Sequence, residues 1–443
     1  MSTHPFAVPY LPNTDSDRQE MLKAIGVDSA GDLFRDIPPK YRNPSLNLPA
    51  PLSEMELLGE VGSMAQQNLI PGEYACFLGG GAYRHYIPSV VRQIVSRGEF
   101  MTSYTPYQPE VSQGTLQATY EFQSLICQLT GMEVANAGMY DGASSFAEAA
   151  LMACRLTKRD RIAVLDTVSP SYREVLVTYA LPQGLQVDTV TPGTAYLEEG
   201  TACLLVQSPN FLGYLEELEH LSRRTHDQGA LLVVATDPIY LGMFRTPGDY
   251  DADIVTAEGQ PLGVPLSFGG PYVGIFACKE KYLRQMPGRI VGRTLDSRGR
   301  EGYVLTLQTR EQHIRRERAT SNICTSEALV ALAATVYLSA LGKRGLRQVA
   351  ELCYHKAHYA SSLISQIPGY SLPVQGTFFK EFVIRCPLPP HEINTRLLEH
   401  GIIGGLDISA HISDGMLLCF TEMNTREEIE SLVGVLAEVG KRA

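Results

Sequence analysis

The sequence predicts an α/β fold: a large domain around a mostly parallel sheet, a smaller C-terminal α+β domain and an N-terminal arm. Three observations carry this. The chain has 443 residues, past the roughly 250–300 at which a single core stops growing. From about residue 140, short continuous apolar runs alternate with stretches of helical spacing, the pattern of parallel strands covered on both faces. After Gly342 the order becomes helix, strand, helix, strand, helix, a unit of ordinary small-domain size. The expected boundaries are 1–60 for the arm, 61–342 for the large domain and 343–443 for the small one.

In the arm, Asn13-Thr14-Asp15 is an N-cap cluster before Arg18 to Leu22, and Gly26 supplies the stop. Ile37-Pro38-Pro39 and Leu48-Pro49-Ala50-Pro51 read as extended or turning chain that lies on another surface. In the large domain, Thr115–Leu129 and Phe146–Leu156 are helical, Ile162–Leu165 is a short strand, and Ser171–Leu181 is a helix ending at Pro182-Gln183-Gly184. Leu185–Val190 is extended. Ala202–Val206 and Leu231–Ala235 are buried strands ending at Ser208-Pro209-Asn210 and Asp237-Pro238, with the amphipathic helix Leu215–Gln228 between them. A long helix runs from Ser326 to Leu341 and closes at Gly342. The small domain offers strands Phe378–Ile384 and Met416–Phe420, and helices His391–His400 and Arg426–Val439.

Composition narrows the function. With 44% apolar and 19% charged residues the chain is globular, and a net charge of −11 argues against a dedicated nucleic-acid binder. Nine cysteines without a Cys-x-x-Cys pair read as reduced thiols of a cytoplasmic protein, so neither a disulfide framework nor a metal site is expected. The start, Met-Ser-Thr-His-Pro, lacks a signal-peptide pattern. The longest apolar stretch, Ala328 to Gly342, falls short of the ~20 residues a bilayer span needs and reads as a core helix, so no membrane partner is expected.

Three segments match a pyridoxal-phosphate cleft, each with a plainer alternative. Gly142, Ser144 and their neighbours follow Asp141 at a helix start, where free N–H groups suit a phosphate; an ordinary N-cap would look the same. Asp237, ending a buried strand, is the residue type that holds a protonated pyridine nitrogen, or else it marks an Asp-Pro turn. Ser267-Phe268-Gly269-Gly270-Pro271 is a glycine-rich approach to a strand, or a loop that needs positive φ. Such a cleft works through a lysine that forms a Schiff base, placed just before Ser267. No lysine occurs between Lys158 and Lys279; the stretch reads Asp253-Ile254-Val255-Thr256-Ala257-Glu258-Gly259-Gln260-Pro261. The chain therefore has the outline of the cleft without its reactive amine.

Two further segments are dense in chemistry. Residues 279–318 hold eleven Lys or Arg against five acids, and Gln308 to Arg318 has helical character. That is a solvated charged face, or an anion or partner contact through guanidinium forks. Thr102 to Gly114 joins two tyrosines, two prolines, a carboxylate and two amides ahead of the Thr115 helix. Proline stiffening lets such a loop hold donors and acceptors at low entropic cost; a polar turn is the alternative. Gly79-Gly80-Gly81 reads as a flexible loop without a phosphate pattern.

At these segments the chain resembles the P-protein family of the glycine cleavage system, glycine dehydrogenase (decarboxylating). The resemblance rests on Tyr104-Thr105-Pro106-Tyr107-Gln108-Pro109-Glu110-Val111-Ser112-Gln113-Gly114, Phe268-Gly269-Gly270-Pro271 and Met286-Pro287-Gly288-Arg289-Ile290-Val291-Gly292. Leu307 to Arg316 and Ala319 to Thr325 extend it, and it covers the chain from about Tyr10 to the last helix. In its split form the family has two subunits, and this chain resembles subunit 1, the N-terminal half. The resemblance implies a pyridoxal-phosphate-dependent transferase fold of type I, like aspartate aminotransferase. It implies pairing with subunit 2 in a two-plus-two assembly, and the lysine and the cofactor on subunit 2. It further implies decarboxylation of glycine, transfer of the aminomethyl group to the lipoyl arm of H-protein, and indirect dependence on the T- and L-proteins.

The implied supporting residues are Tyr104, Tyr107, Gln108, Glu110 and Gln113, lent to the partner's cleft. Arg289, Arg293, Arg310, His313, Arg315 and Asn322 are implied anion or interface contacts, and Gly142, Ser144 and Asp237 a vestigial pocket. Two alternatives stand beside this reading: a non-catalytic scaffold for subunit 2, and a self-standing pyridoxal-phosphate enzyme.

Overall fold

The computed structural model of the chain describes residues 13–42, 44–194, 197–323 and 325–441; Tyr10, and Cys324 within the Ala319–Thr325 motif, lie outside them. The chain divides into two compact units, one ending at Leu69 and one starting at Ile70.

The first unit holds the helix Asp15–Ile25. Thr14 accepts the Asp17 N–H while Asp17 takes the Thr14 N–H, and Gly26 at φ 83° ends the helix. A second helix, Glu54–Ala65, is missing from the proline-based expectation. It is capped in the same reciprocal way by Ser53 and Glu56, so its start is a Ser-x-x-Glu signature that the neighbouring prolines obscure. Neither helix buries a residue, and Met55, Leu58 and Met64 are exposed.

The second unit is organised by a seven-stranded sheet. In spatial order its strands are Val134–Ala135, Gly274–Cys278, Ile254–Glu258, Leu231–Thr236, Thr201–Gln207, Arg161–Leu165 and Gln186–Val190. The last five run parallel; the first two are antiparallel to their neighbours. The inner strands are mostly apolar because both faces are covered. Full burial of each Val, Leu or Ile side chain there stabilises by about 1.5–3 kcal/mol.

The helix expected to stop at Gly342 does so, and a second follows at once: Gly342, at φ 59° and ψ −178°, is the non-helical kink at which two helices meet to form the long helical run Ala328–Ile364. By length and composition this helix could cross a membrane, but its apolar side chains fill two cores. Ala331, Ala334, Tyr337 and Leu338 pack on the large sheet, whereas Ala357, Ala360 and Ile364 pack with Phe382, Leu418 and Leu436. That second core covers a three-stranded antiparallel sheet in which Glu381–Arg385 and Leu406–Asp407 flank Gly415–Cys419.

The region from Gln308 to Arg318 is not one helix. It forms three short turns, Gln308–Arg310, Gln312–Arg315 and Arg316–Arg318. Positive φ at Leu307 and Arg316 interrupts the helical path. Arg310 is buried and donates to the carbonyls of Met286 and Gly288, so Arg310, His313 and Arg316 share no common helix face.

Candidate functional site

A cavity of about 280 Å³ opens beyond the carboxyl ends of the parallel strands, where ligands bind in open α/β sheets. Gln207, Asp237 and Glu258 line it from the strand ends, Tyr172 from a helix, and Tyr83, Lys380 and Glu381 from the remaining chain. Asp237 is thus where the sequence places it.

On one side of the cavity lies the helix Gly142–Thr157. Asp141 caps it by accepting the Ser144 N–H at 2.7 Å and, through its carbonyl, the Ser145 N–H at 3.0 Å. The Gly142 N–H donates to Glu258 Oε2 at 2.9 Å. A Cβ at position 142 would lie 2.1 Å from the Tyr172 hydroxyl and 2.9 Å from the Glu258 nitrogen, so only glycine fits. Burial raises the Glu258 carboxyl to about 7, against the pull of the Gly142 and Gln260 N–H donors. The segment where a Schiff-base lysine belongs instead carries Gln260, buried and bonded to both backbone groups of Tyr83.

On the other side Asp237 meets a lysine. Lys380 Nζ lies 2.5 Å from Asp237 Oδ2, with 2% of its side chain exposed. It stands 3.4 Å from the centre of the Tyr83 ring and 3.2 Å from His85 Nε2. An ammonium only donates, so His85 Nε2 accepts, and its Nδ1–H donates to Glu422 Oε2 at 2.7 Å. Burial is the largest single influence and opposes the charge on Lys380, yet Asp237 together with Cys419 and Cys353 outweighs it and holds the ammonium above its ordinary range. Burial and the Lys380 charge together depress His85, keeping the imidazole neutral. His85, Glu422 and the Cys353 thiol lie close enough together to suggest a metal site. The ammonium already supplies the positive charge there, and burial holds Cys353 well above the ordinary thiol range, so it stays protonated.

Lys380 is the residue the sequence reasoning missed, 143 positions beyond Asp237 in the chain and placed inside an expected strand. The signal was available: Lys380-Glu381 interrupts Phe378-Phe379 and Phe382-Val383-Ile384, and charges inside such a run need buried partners. Glu381 accepts the Tyr83 hydroxyl at 2.7 Å and the Gly80 N–H at 2.7 Å. Gly79-Gly80-Gly81, expected as a flexible loop, is therefore pinned: a Cβ at Gly79 would fall 2.2 Å from Glu381 Oε1.

A second cluster gathers several of the motif residues. Arg289, 5% exposed, reaches Thr105 Oγ1 at 3.3 Å and the Tyr107 hydroxyl at 3.5 Å, and its Nε lies 3.5 Å from Glu311 Oε2. His313 meets Tyr107 edge-on and Glu311 at 3.5 Å. Arg289 Nε and Glu311 Oε1 are buried without a hydrogen-bond partner. Gln113 ties the loop to the hairpin Ile290–Leu295/Glu301–Thr306 through both backbone groups of Tyr303. Tyr104 contacts Thr325 Oγ1 at 3.2 Å. Gln108, Glu110, Arg315 and Asn322 are exposed, and Arg293 pairs with Glu301 in solvent. Phe268 sits 96% exposed at φ 55°.

The sheet order and the cavity beyond its strand ends define a fold-type-I pyridoxal-phosphate enzyme body. The residues present do not fit the cofactor: no lysine lies between the Ile254–Glu258 strand and Lys279, Gly142 is bonded to Glu258, and Asp237 is paired. The chain belongs to the family described as glycine cleavage system P-protein, whose profile matches residues 8–436. It is 52% identical over 443 residues to "Probable glycine dehydrogenase (decarboxylating) subunit 1" of Desulforamulus reducens, covering 97% of this chain and 99% of that one. A protein of the same name from Thermomicrobium roseum is 54% identical over 445 residues, with the same coverage. Among solved structures, the inhibitor-bound glycine decarboxylase (P-protein) of the glycine cleavage system superposes with a TM-score of 0.91 at 43% identity, covering 97% of this chain and 99% of that one. A sphingosine-1-phosphate lyase from Burkholderia pseudomallei, at 15% identity and TM-score 0.62 over 91% of this chain and 94% of that one, shares the fold.

Proposed function

We propose that this chain acts as subunit 1 of a cytoplasmic two-plus-two P-protein. With subunit 2 it decarboxylates glycine and transfers the aminomethyl group to the lipoyl arm of H-protein; alone it is inactive. Pyridoxal phosphate, carried by subunit 2, supplies the electron sink. This chain supplies walls. Tyr107, half-exposed and backed by Arg289 and His313, orients groups in the partner's cleft, and Tyr104, Gln108 and Glu110 complete that edge. Gln113 fixes the loop's position, so little entropy is lost when the loop is engaged.

One observation carries the reading. Arg289 and Glu311 are buried yet keep polar atoms without partners, directly behind an exposed tyrosine. Such groups call for a further ligand or chain. The exposed apolar side chains of the Glu54–Ala65 helix and Phe268 suit burial against subunit 2.

The test is co-purification with a subunit 2, followed by glycine–bicarbonate exchange with each subunit omitted in turn. The expected result is exchange only when both are present. Full exchange by subunit 2 alone would reduce this chain to a scaffold, and exchange by this chain alone would overturn the reading.

A further inference from the structure

We infer that the cofactor cleft of this chain has been converted into an internally liganded core, with the Glu258 carboxyl as a built-in acceptor on the Gly142 helix and Lys380 as a built-in cation on Asp237. The inference rests on the geometry of this chain alone and is independent of what the chain does with a partner.

The two poles of a pyridoxal-phosphate site carry opposite charges. A helix N-terminus presents N–H groups and a partial positive charge to a phosphate, and a carboxylate faces the protonated pyridine nitrogen. Here both receptors persist. The Gly142–Thr157 helix still points its N-terminus at the cavity side, but its first N–H goes to Glu258, and Ser144 and Ser145 give theirs to Asp141. The Tyr172 hydroxyl and the Glu258 backbone fill the space beside the Gly142 Cα. Asp237 still closes its strand, but Lys380 stands 2.5 Å from it.

The lysine is not a misplaced Schiff-base residue. Its nitrogen sits on the aspartate and is held as an ammonium by Asp237, His85 and the Tyr83 ring. Each receptor has therefore been matched by a side chain of this chain, an acceptor for the helix N–H and a cation for the carboxylate. Without Glu258 the Gly142 N–H would lose its acceptor; without Lys380 the Asp237 charge would stand unpaired, which proteins tolerate poorly.

The test uses the full-length chain without any partner. Thermal midpoints of the parent and of Glu258→Gly are compared in inorganic phosphate and in chloride at matched ionic strength. Phosphate is expected to raise the midpoint of Glu258→Gly beyond any rise in the parent, by mass-action stabilisation. An equal rise in both overturns the inference for that pole. If Glu258→Gly does not fold, the other pole decides: Asp237→Asn, Lys380→Met and the double variant. Each single change is expected to lower the midpoint further than the double change does. Simple additivity of the two losses overturns the inference.

Discussion

Gln260 and Tyr83 exchange two hydrogen bonds. The Tyr83 N–H donates to Gln260 Oε1 at 2.9 Å, and Gln260 Nε2 donates to the Tyr83 carbonyl at 2.9 Å. Nε2 also reaches the Val264 carbonyl at 2.8 Å. A residue two positions beyond the end of a central strand thereby fixes the backbone that carries the aromatic wall of the cavity. Gln260→Glu replaces this donor by an acceptor and leaves two carbonyls unpaired. It is expected to cost about 2–4 kcal/mol in urea unfolding; an unchanged midpoint would show that the pairing is incidental.

Tyr107→Phe removes the hydroxyl that Arg289 approaches while leaving the ring against His313. In the assembly with subunit 2, glycine–bicarbonate exchange is expected to fall about tenfold, the equivalent of one hydrogen bond to a charged group. The thermal midpoint of the chain should stay close to the parent's, because Tyr107 is half-exposed. Unaltered exchange removes this tyrosine from the cleft.

Arg289→Met strands the Glu311 carboxylate in a buried site. Removal of one partner of a buried pair costs about 3–5 kcal/mol, readable as a drop in unfolding free energy. The double change Arg289→Met, Glu311→Leu should recover much of that loss. If it recovers none, the contact carries no coupling.

Glu258 gives a pH signature. Burial raises its folded value to about 7 from an ordinary 4.5. The folded chain therefore binds this proton more tightly than the unfolded chain. Its contribution is fully present below 4.5 and is lost as pH rises through 7, by at most about 3 kcal/mol. Glu258→Gln, which cannot ionise, should flatten that decline when urea midpoints at about pH 5 and about pH 8 are compared with the parent's. The same slope in both proteins would assign the decline to other groups, such as Glu381, which burial also raises.

What the sequence made legible follows local physics. Thr14, Asp141 and Gly26 act on their immediate neighbours, so their caps can be read directly. Apolar runs such as Leu231–Ala235 likewise report their own burial. The missing lysine was visible because fold chemistry names one position for it. The interrupted apolar run around Lys380 shows that the lysine needs a buried partner, but that the partner is Asp237 depends on a long-range approach that no local pattern encodes. The Gln308–Arg318 region misled for a related reason. Its composition suits a helix, but Arg310 is drawn inward by the Met286 and Gly288 carbonyls, and tertiary bonding overrides propensity.

The Lys380–Asp237 pair also bears on how the protein is made. Both partners are peptide-linked, so they arrive together when the chain leaves the ribosome. Nothing diffusible has to be captured before that interior closes. Nascent molecules should mature at the same yield in vitamin-B6-starved and vitamin-replete cells.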